Sequence, residues 1–200
     1  MNVIKQTDVD IATLVKQLKD GGTIVYPTET CYGLGCDAMN GTAVERVYAL
    51  KGRPKDKPLI VIAASVDMLR AFVEVSPAFE QIARKYWPGA LTIVAPIKMG
   101  VVLPKGIAAG GCTIACRVTS HPFARKLTES LGRPLVSTSA NRAGEPNPYS
   151  IDDVLGAFRG APDEPDIVID AGQLPMRPPS TIIRIDGNLV TVIRQGEVYI

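Results

Sequence analysis

Apolar positions along the chain switch between a helical spacing of three or four and a strand spacing of two. Ile11, Leu14, Val15 and Leu18 form one helical stripe, capped by Asp8 and ended by Gly21-Gly22. Residues 23–26 read as a strand stopped by Pro27, and residues 27–35 as a loop rich in Thr and Gly. Residues 42–50 suit a short helix with Val44, Val47 and Leu50 inward, and 59–63 a buried strand. Ser65 and Ser76 cap two further helices, one carrying Met68, Leu69 and Phe72, the other Phe79, Ile82 and Tyr86; Trp87-Pro88-Gly89 ends the second. Strands over 90–96 and 113–118 flank a loop over 97–111 with four glycines and one proline, a length at which loops often serve as lids. A helix over 123–131 closes at Gly132, a strand covers 135–139, and Ser150 caps a helix to Phe158. A strand at 167–169 and a hairpin over 181–185 and 189–193, turning at Asp186-Gly187-Asn188, complete the chain. The pattern predicts one α/β domain on a twisted, mixed sheet flanked by helices, without repeats or linkers.

Length and composition agree. At 200 residues and 46% hydrophobic content the chain can bury a full core, and its mean hydropathy of +0.13 excludes a disordered or collagen-like class. The longest apolar run, residues 59–64, is far short of a membrane span, and the N-terminus lacks the apolar core of a signal peptide. The expectation is a cytoplasmic protein with no membrane contact.

A net charge of +2 argues neither for nor against nucleic acid. Its distribution says more. Lys51, Arg53, Lys55 and Lys57 against Asp56 make a basic segment, whereas residues 151–170 carry six carboxylates and one arginine. The single histidine, His121, precedes a proline at a helix start and rules out two-histidine metal sites; it is read as structural. Cys31, Cys36, Cys112 and Cys116 have spacings unlike zinc ligands and are read as structural thiols.

Four segments carry chemistry. In Lys51-Gly52-Arg53-Pro54, Pro54 disfavours helix at Arg53, so the helix ends near Lys51 and two cations leave it together, a point charge and a fork suited to a polyphosphate. A solvated surface loop is the alternative. In Val136-Ser137-Thr138-Ser139-Ala140-Asn141 a strand runs into small polar residues, and alternation puts Ser137, Ser139 and Asn141 on one face. Such groups at a strand end suit phosphate oxygens or a magnesium-bound water; a Ser/Thr-rich turn is the alternative. In residues 113–117, Thr113 and Arg117 share the face opposite Cys112, Ile114 and Cys116, and an arginine there needs an anion or a salt bridge. Residues 27–35 offer backbone N–H groups to a ligand, but the chain has neither a Walker A sequence nor GxGxxG.

Together these segments resemble the YrdC-like family, bacterial threonylcarbamoyl-AMP synthases of the TsaC type. The resemblance runs from about Gly21 to Gly196, through Tyr26-Pro27-Thr28-Glu29-Thr30, Tyr32-Gly33-Leu34-Gly35, Lys51-Gly52-Arg53-Pro54, Lys57-Pro58-Leu59, Trp87-Pro88-Gly89 with Leu91-Thr92, Arg117 with His121-Pro122, and Ser137 to Asn141. It implies a single YrdC-like domain over residues 1–200 with a basic concave cavity. It also implies conversion of L-threonine, bicarbonate or CO2, and ATP to threonylcarbamoyladenylate and diphosphate, which feeds the N6-threonylcarbamoyladenosine modification of tRNA. The family's K-x-R…S-x-N signature falls on Lys51, Arg53, Ser139 and Asn141, implied to be catalytic. ATP contacts are implied at Lys51, Arg53, Lys57, Thr113, Ser139, Asn147 and Arg194, and threonine contacts at Thr30, Arg117, Ser137 and Ser180. Mg2+ is expected only with the ATP phosphates. Further implied partners are tRNA and a downstream threonylcarbamoyl-transferase complex.

The sequence departs from longer relatives in two places. Ile62 stands where some have a histidine near the substrate, and Arg177-Pro178-Pro179 replaces a Gly-Val-Glu run before Ser180. A second, C-terminal domain of those relatives is not expected here. A non-catalytic module for tRNA or double-stranded RNA is the alternative, which the modest net charge and 6% aromatic content disfavour. A carbamoyl-transfer domain like that of hydrogenase-maturation proteins is a third reading, disfavoured because those sit in much larger chains.

Overall fold

The computed structural model describes residues 1–200, the side chain of Ala109 excepted. The strands are β1 (Asn2–Lys5), β2 (Ile24–Pro27), β3 (Tyr32–Gly35), β4 (Ile60–Ala63), β5 (Leu91–Pro96), β6 (Ala108–Ala109), β7 (Thr113–Val118), β8 (Leu135–Val136), β9 (Thr138–Ser139), β10 (Ile167–Asp170), β11 (Thr181–Asp186) and β12 (Leu189–Arg194). The helices are α1 (Ile11–Lys19), α2 (Gly41–Lys51), α3 (Val66–Arg70), α4 (Pro77–Tyr86), α5 (Pro122–Leu131) and α6 (Ile151–Phe158).

Two mixed sheets result. One runs β1-β10-β2-β3-β9, parallel across its first three strands and antiparallel across the rest. The other runs β12-β11-β5-β7-β4-β8, with β6 beside β7. The chain steps from one sheet to the other between β8 and β9, at Ser137. There the Val136 N–H donates to Cys36 O at 2.9 Å and the Ser137 N–H to Ile60 O at 2.8 Å. The strand expected over 135–139 is therefore two short strands broken at Ser137. Gly35 makes the step possible, because a Cβ there would lie 2.0 Å from Val136 O.

Local chemistry explains most element ends. Asn40, Ser65, Ser76 and Ser150 accept backbone N–H groups at helix starts, and Gly52 and Gly132 take left-handed conformations at helix ends. Three expectations change. Asp10, not Asp8, caps α1, because its carboxylate accepts from the Ala12 and Thr13 N–H groups; Asp8 closes a short 3₁₀ turn instead. Residues 32–35 are strand rather than loop, with the fully buried Tyr32 and Leu34 alternating with Gly33 and Gly35. The loop over 97–111 does not line the cavity described below. Its Gly106 O accepts Leu59 N–H at 2.8 Å and Tyr48 Oη–H at 2.9 Å, which pins it to the fold.

One core lies between the sheets and α2, α4 and α6, built on Tyr32, Val47, Leu50, Phe79, Leu91, Phe158 and Ile183. A second packs α1 and α5 over β2, with Leu18, Tyr26, Leu127 and Leu131. Ile62 belongs to that second core and is fully buried. Cys31, Cys36 and Cys116 are buried, as expected of structural thiols, but Cys112 is exposed because it precedes β7 at the end of the loop. Among the described residues no helix is long and apolar enough to cross a membrane.

Candidate functional site

A cavity of about 680 Å3 opens where the strand ends of both sheets meet the end of α2. It is built first around Lys51. Gly52 ends α2 at φ 61°, and Lys51, the last helical residue, points its side chain inward and is only 4% exposed. Its three ammonium N–H groups are shared among four acceptors, Ser139 O (2.7 Å), Ser139 Oγ (3.2 Å), Asn141 O (3.0 Å) and Asn141 Oδ1 (2.6 Å). Ser139 Oγ–H donates to Asn141 Oδ1 at 2.7 Å, and Asn141 Nδ2 donates to Glu145 O and Pro146 O. Lys51 thus knits the end of β9 and the following loop into one unit. Burial, and next the charge of Arg53, lower this amine to about 8.

Arg53 follows in extended chain. Its Nε–H donates to Lys57 O at 2.9 Å and Nη2 to Pro58 O at 3.2 Å, fixing the guanidinium at the rim. On the opposite wall Arg194 Nη2 donates to Ser180 O at 2.6 Å and to Ser180 Oγ at 3.2 Å. Burial first, then the charges of Arg117 and Arg53, push the Arg194 guanidinium below its ordinary value. Three cations close enough to repel one another favour a multiply charged anion between them.

The third wall is Thr28, Thr30 and Arg117. Thr28 Oγ1 lies 3.1 Å from Thr30 Oγ1 and donates to Cys31 O at 2.7 Å, while the Thr30 and Cys31 N–H groups point back at it. Arg117 rises from β7 with its side chain 6% exposed. Its Nε lies 3.0 Å from Glu29 Oε1 in an ion pair, at an angle outside hydrogen-bond geometry. The salt bridge offered above as one reading of Arg117 is therefore present, yet Arg117 also lines the cavity.

Of the residues singled out from the sequence, Thr30, Lys51, Arg53, Lys57, Arg117, Ser137, Ser139, Asn141, Asn147, Ser180 and Arg194 all line this one cavity. Thr113 does not; it stands half-buried at the start of β7, opposite Pro96. His121 lies outside it as well, half-buried at the start of α5, with Nδ1 buried and unpartnered and its pKa lowered by burial, which favours the neutral imidazole. Arg142 and Arg184 line the cavity and escape the sequence reading. Alternation along β11 carries a signal for Arg184, since Thr181, Ile183 and Ile185 are buried and Ile182 and Arg184 share the other face. Seven Lys or Arg side chains line the cavity against two carboxylates, Asp56 and Glu145. Among the described residues no group of three or more His, Cys, Asp or Glu stands together as a cation site.

Cations, hydroxyls and an amide gathered at the strand ends of an α/β protein are a set of groups suited to multi-oxygen anions. The chain belongs to the Sua5/YciO/YrdC family, whose model, described as telomere recombination, matches residues 16–196. A protein named threonylcarbamoyl-AMP synthase from Pyrococcus abyssi (strain GE5 / Orsay) is 37% identical over 180 residues, covering 90% of this chain and 52% of its own. One of the same name from Bacillus subtilis (strain 168) is 32% identical over 198 residues, covering 96% of this chain and 55% of its own. The chain thus spans about half the length of these two relatives. Among solved structures, P. abyssi Sua5 complexed with L-threonine matches with a TM-score of 0.87 at 34% identity, covering 98% of this chain and 57% of that one. E. coli YciO matches with a TM-score of 0.81 at 26% identity, covering 93% of this chain and 88% of that one.

Proposed function

We propose that the protein is an L-threonylcarbamoyl-AMP synthase, a nucleotidyltransferase. The observation that carries this reading is the placement of Arg117, whose Nη groups make no hydrogen bond among the described residues, in the same cavity as the Lys51–Ser139–Asn141 unit. A carboxylate and a polyphosphate are thereby offered separate cationic partners. The names of the two relatives and the threonine bound to P. abyssi Sua5 support the same reading.

The threonine amine adds to CO2 and loses a proton, giving a carbamate. A carbamate oxygen then attacks the α-phosphorus of ATP, the bond to the β-phosphate bridging oxygen breaks, and diphosphate leaves. Arg117 holds the threonine carboxylate, with Thr30, Ser137 and Ser180 on the neighbouring walls. Lys51, Arg53 and Arg194 neutralise the triphosphate, Lys57 and Asn147 stand at the same rim, and Ser139 and Asn141 hold oxygens of the transferring group. Fixed charges aimed at the in-line oxygens do most of the work in such a displacement. Mg2+ arrives with the triphosphate as part of the substrate. The product would pass, in the cytoplasm, to a threonylcarbamoyl-transferase complex that modifies tRNA.

The test is incubation with ATP, Mg2+, bicarbonate and threonine. Threonine-dependent diphosphate release is expected. Absence of release, or equal release with serine, would overturn the reading. Tight RNA binding with a steep salt dependence and no turnover would favour the RNA-module alternative instead.

The lowered Lys51 value sets a pH dependence. In the free protein the amine is charged below about pH 8 and largely neutral above it. A bound polyphosphate favours the ammonium and raises that value. ATP binding at pH 9 is therefore expected to take up a proton, and apparent ATP affinity to fall above pH 8 by up to roughly tenfold per pH unit. Calorimetry in two buffers of different ionisation enthalpy checks this; equal heats at pH 9 would refute it.

A further inference from the structure

We infer that Glu29 is a positioning residue for the substrate carboxylate, and that Thr119 acts through it. The inference rests on the proposed role of Arg117. Glu29 does not line the cavity; it stands behind Arg117, with its side chain 9% exposed. Oε1 lies 3.0 Å from Arg117 Nε, while Oε2 accepts the Thr119 Oγ1–H at 2.6 Å. Thr119 is itself fully buried, accepts the His121 N–H at 3.2 Å and donates its own N–H to Ala63 O at 3.1 Å. The carboxylate is therefore anchored to the junction of β7, β4 and α5.

The geometry is not that of a pair kept only for stability. A purely structural arginine–carboxylate pair reaches its best energy fork to fork, with two parallel N–H···O bonds. Here one carboxylate oxygen is diverted to Thr119, and the guanidinium atom nearest the other is Nε, off axis. Arg117 Nε and Glu29 Oε1 are both buried without a hydrogen bond. The Arg117 Nη atoms make no hydrogen bond among the described residues. Glu29 offsets the desolvation of the guanidinium from behind and leaves its Nη edge for a bidentate carboxylate in front.

A merely neutralising Glu29 predicts something different from a positioning one. Removing its charge alone would raise the positive potential of the cavity and tighten ATP, a polyanion, without weakening the hold on the threonine carboxylate. Removing a positioning contact weakens threonine and leaves ATP as it was. Glu29→Gln keeps the shape, and Thr119→Val removes only the hydroxyl. The expected result is a rise in threonine KM of roughly tenfold for Glu29→Gln and about threefold for Thr119→Val, with ATP KM and kcat within about twofold for the folded proteins; melting temperatures fall, more for Glu29→Gln, which leaves the Arg117 charge unpartnered, than for Thr119→Val. Titrating L-threonine into each protein calorimetrically gives the same comparison as Kd, without requiring turnover. If the wild type binds threonine but releases no diphosphate, the synthase reading fails while the Kd shift still decides the role of Glu29. An unchanged threonine Kd in Glu29→Gln, a parallel change for threonine and ATP, or no threonine binding by the wild type would overturn the inference.

Discussion

Lys51→Ala is expected to lower threonine-dependent diphosphate release by roughly a hundredfold or more, the loss of two charge-assisted contacts of about 1.5–3 kcal/mol each. The effect exceeds that of a missing surface cation because Lys51 has two tasks. In the proposed reaction its ammonium supplies charge to the phosphates, and in the structure it gathers Ser139 O, Ser139 Oγ, Asn141 O and Asn141 Oδ1 around one point. Without it the Ser139–Asn141 bond and the Asn141 contacts to Glu145 O and Pro146 O remain, but only the backbone bond from the Ala143 N–H to the carbonyl of residue 51, at 2.8 Å, still ties that loop to the end of α2. Four acceptors lose a shared buried donor, so some fall in melting temperature is expected, although α2 keeps its Gly52 cap and its buried face. Arg53→Ala is the control. Its guanidinium bonds only to the carbonyls of Lys57 and Pro58, so a loss of about tenfold with an unchanged melting temperature is expected. Steady-state assays with thermal melts check both. Near-normal turnover in Lys51→Ala would remove the phosphate site from the end of α2.

The ordering of elements is legible wherever the signal is local. Capping serines, the helix end near Lys51 signalled by Pro54 and the helical stripes of α4 and α5 act over a few residues, and the structure places them as read. β1 escapes a sequence reading because its residues are mostly exposed and carry no alternation; it forms only because β10 offers a parallel edge. β3 reads as loop because Gly33 and Gly35 dilute its strand character. Those glycines are there for sheet contact: a Cβ on Gly33 would lie 3.0 Å from Thr28 Cγ2, and one on Gly35 would strike Val136 O. The site is legible as a set of residue types but not as a set of distances. Alternation puts Thr113, Ala115 and Arg117 on one face of β7, yet Thr113 sits two residues, about 7 Å, before Ala115 and outside the cavity wall. Glu29 cannot be matched to Arg117 from sequence, because 87 intervening residues and both sheets are needed to bring them to 3.0 Å.

Arg117→Lys carries the second large expected effect, a rise in threonine KM of about 10- to 150-fold, the kinetic equivalent of one charge-assisted hydrogen bond of about 1.5–3 kcal/mol. Lysine is chosen over alanine for a physical reason. Arg117→Ala would leave Glu29 buried without a counter-charge, a loss of about 3–5 kcal/mol that confounds any kinetic reading. Arg117→Lys preserves the charge but not the fork. The ammonium it introduces is drawn to Glu29 Oε1 as the guanidinium Nε is now, and it has no second edge to turn toward the cavity. Threonine binding should therefore fail while the buried pair survives, and ATP KM should stay near that of the wild type because Lys51, Arg53 and Arg194 are untouched. The alternative, in which Arg117 serves only as a partner for Glu29, predicts the reverse: lysine would satisfy the carboxylate and both KM values would stay put. Threonine and ATP KM values measured side by side separate the two. A threonine KM within about threefold of the wild type would assign Arg117 to the scaffold and move the carboxylate partner elsewhere on the cavity wall.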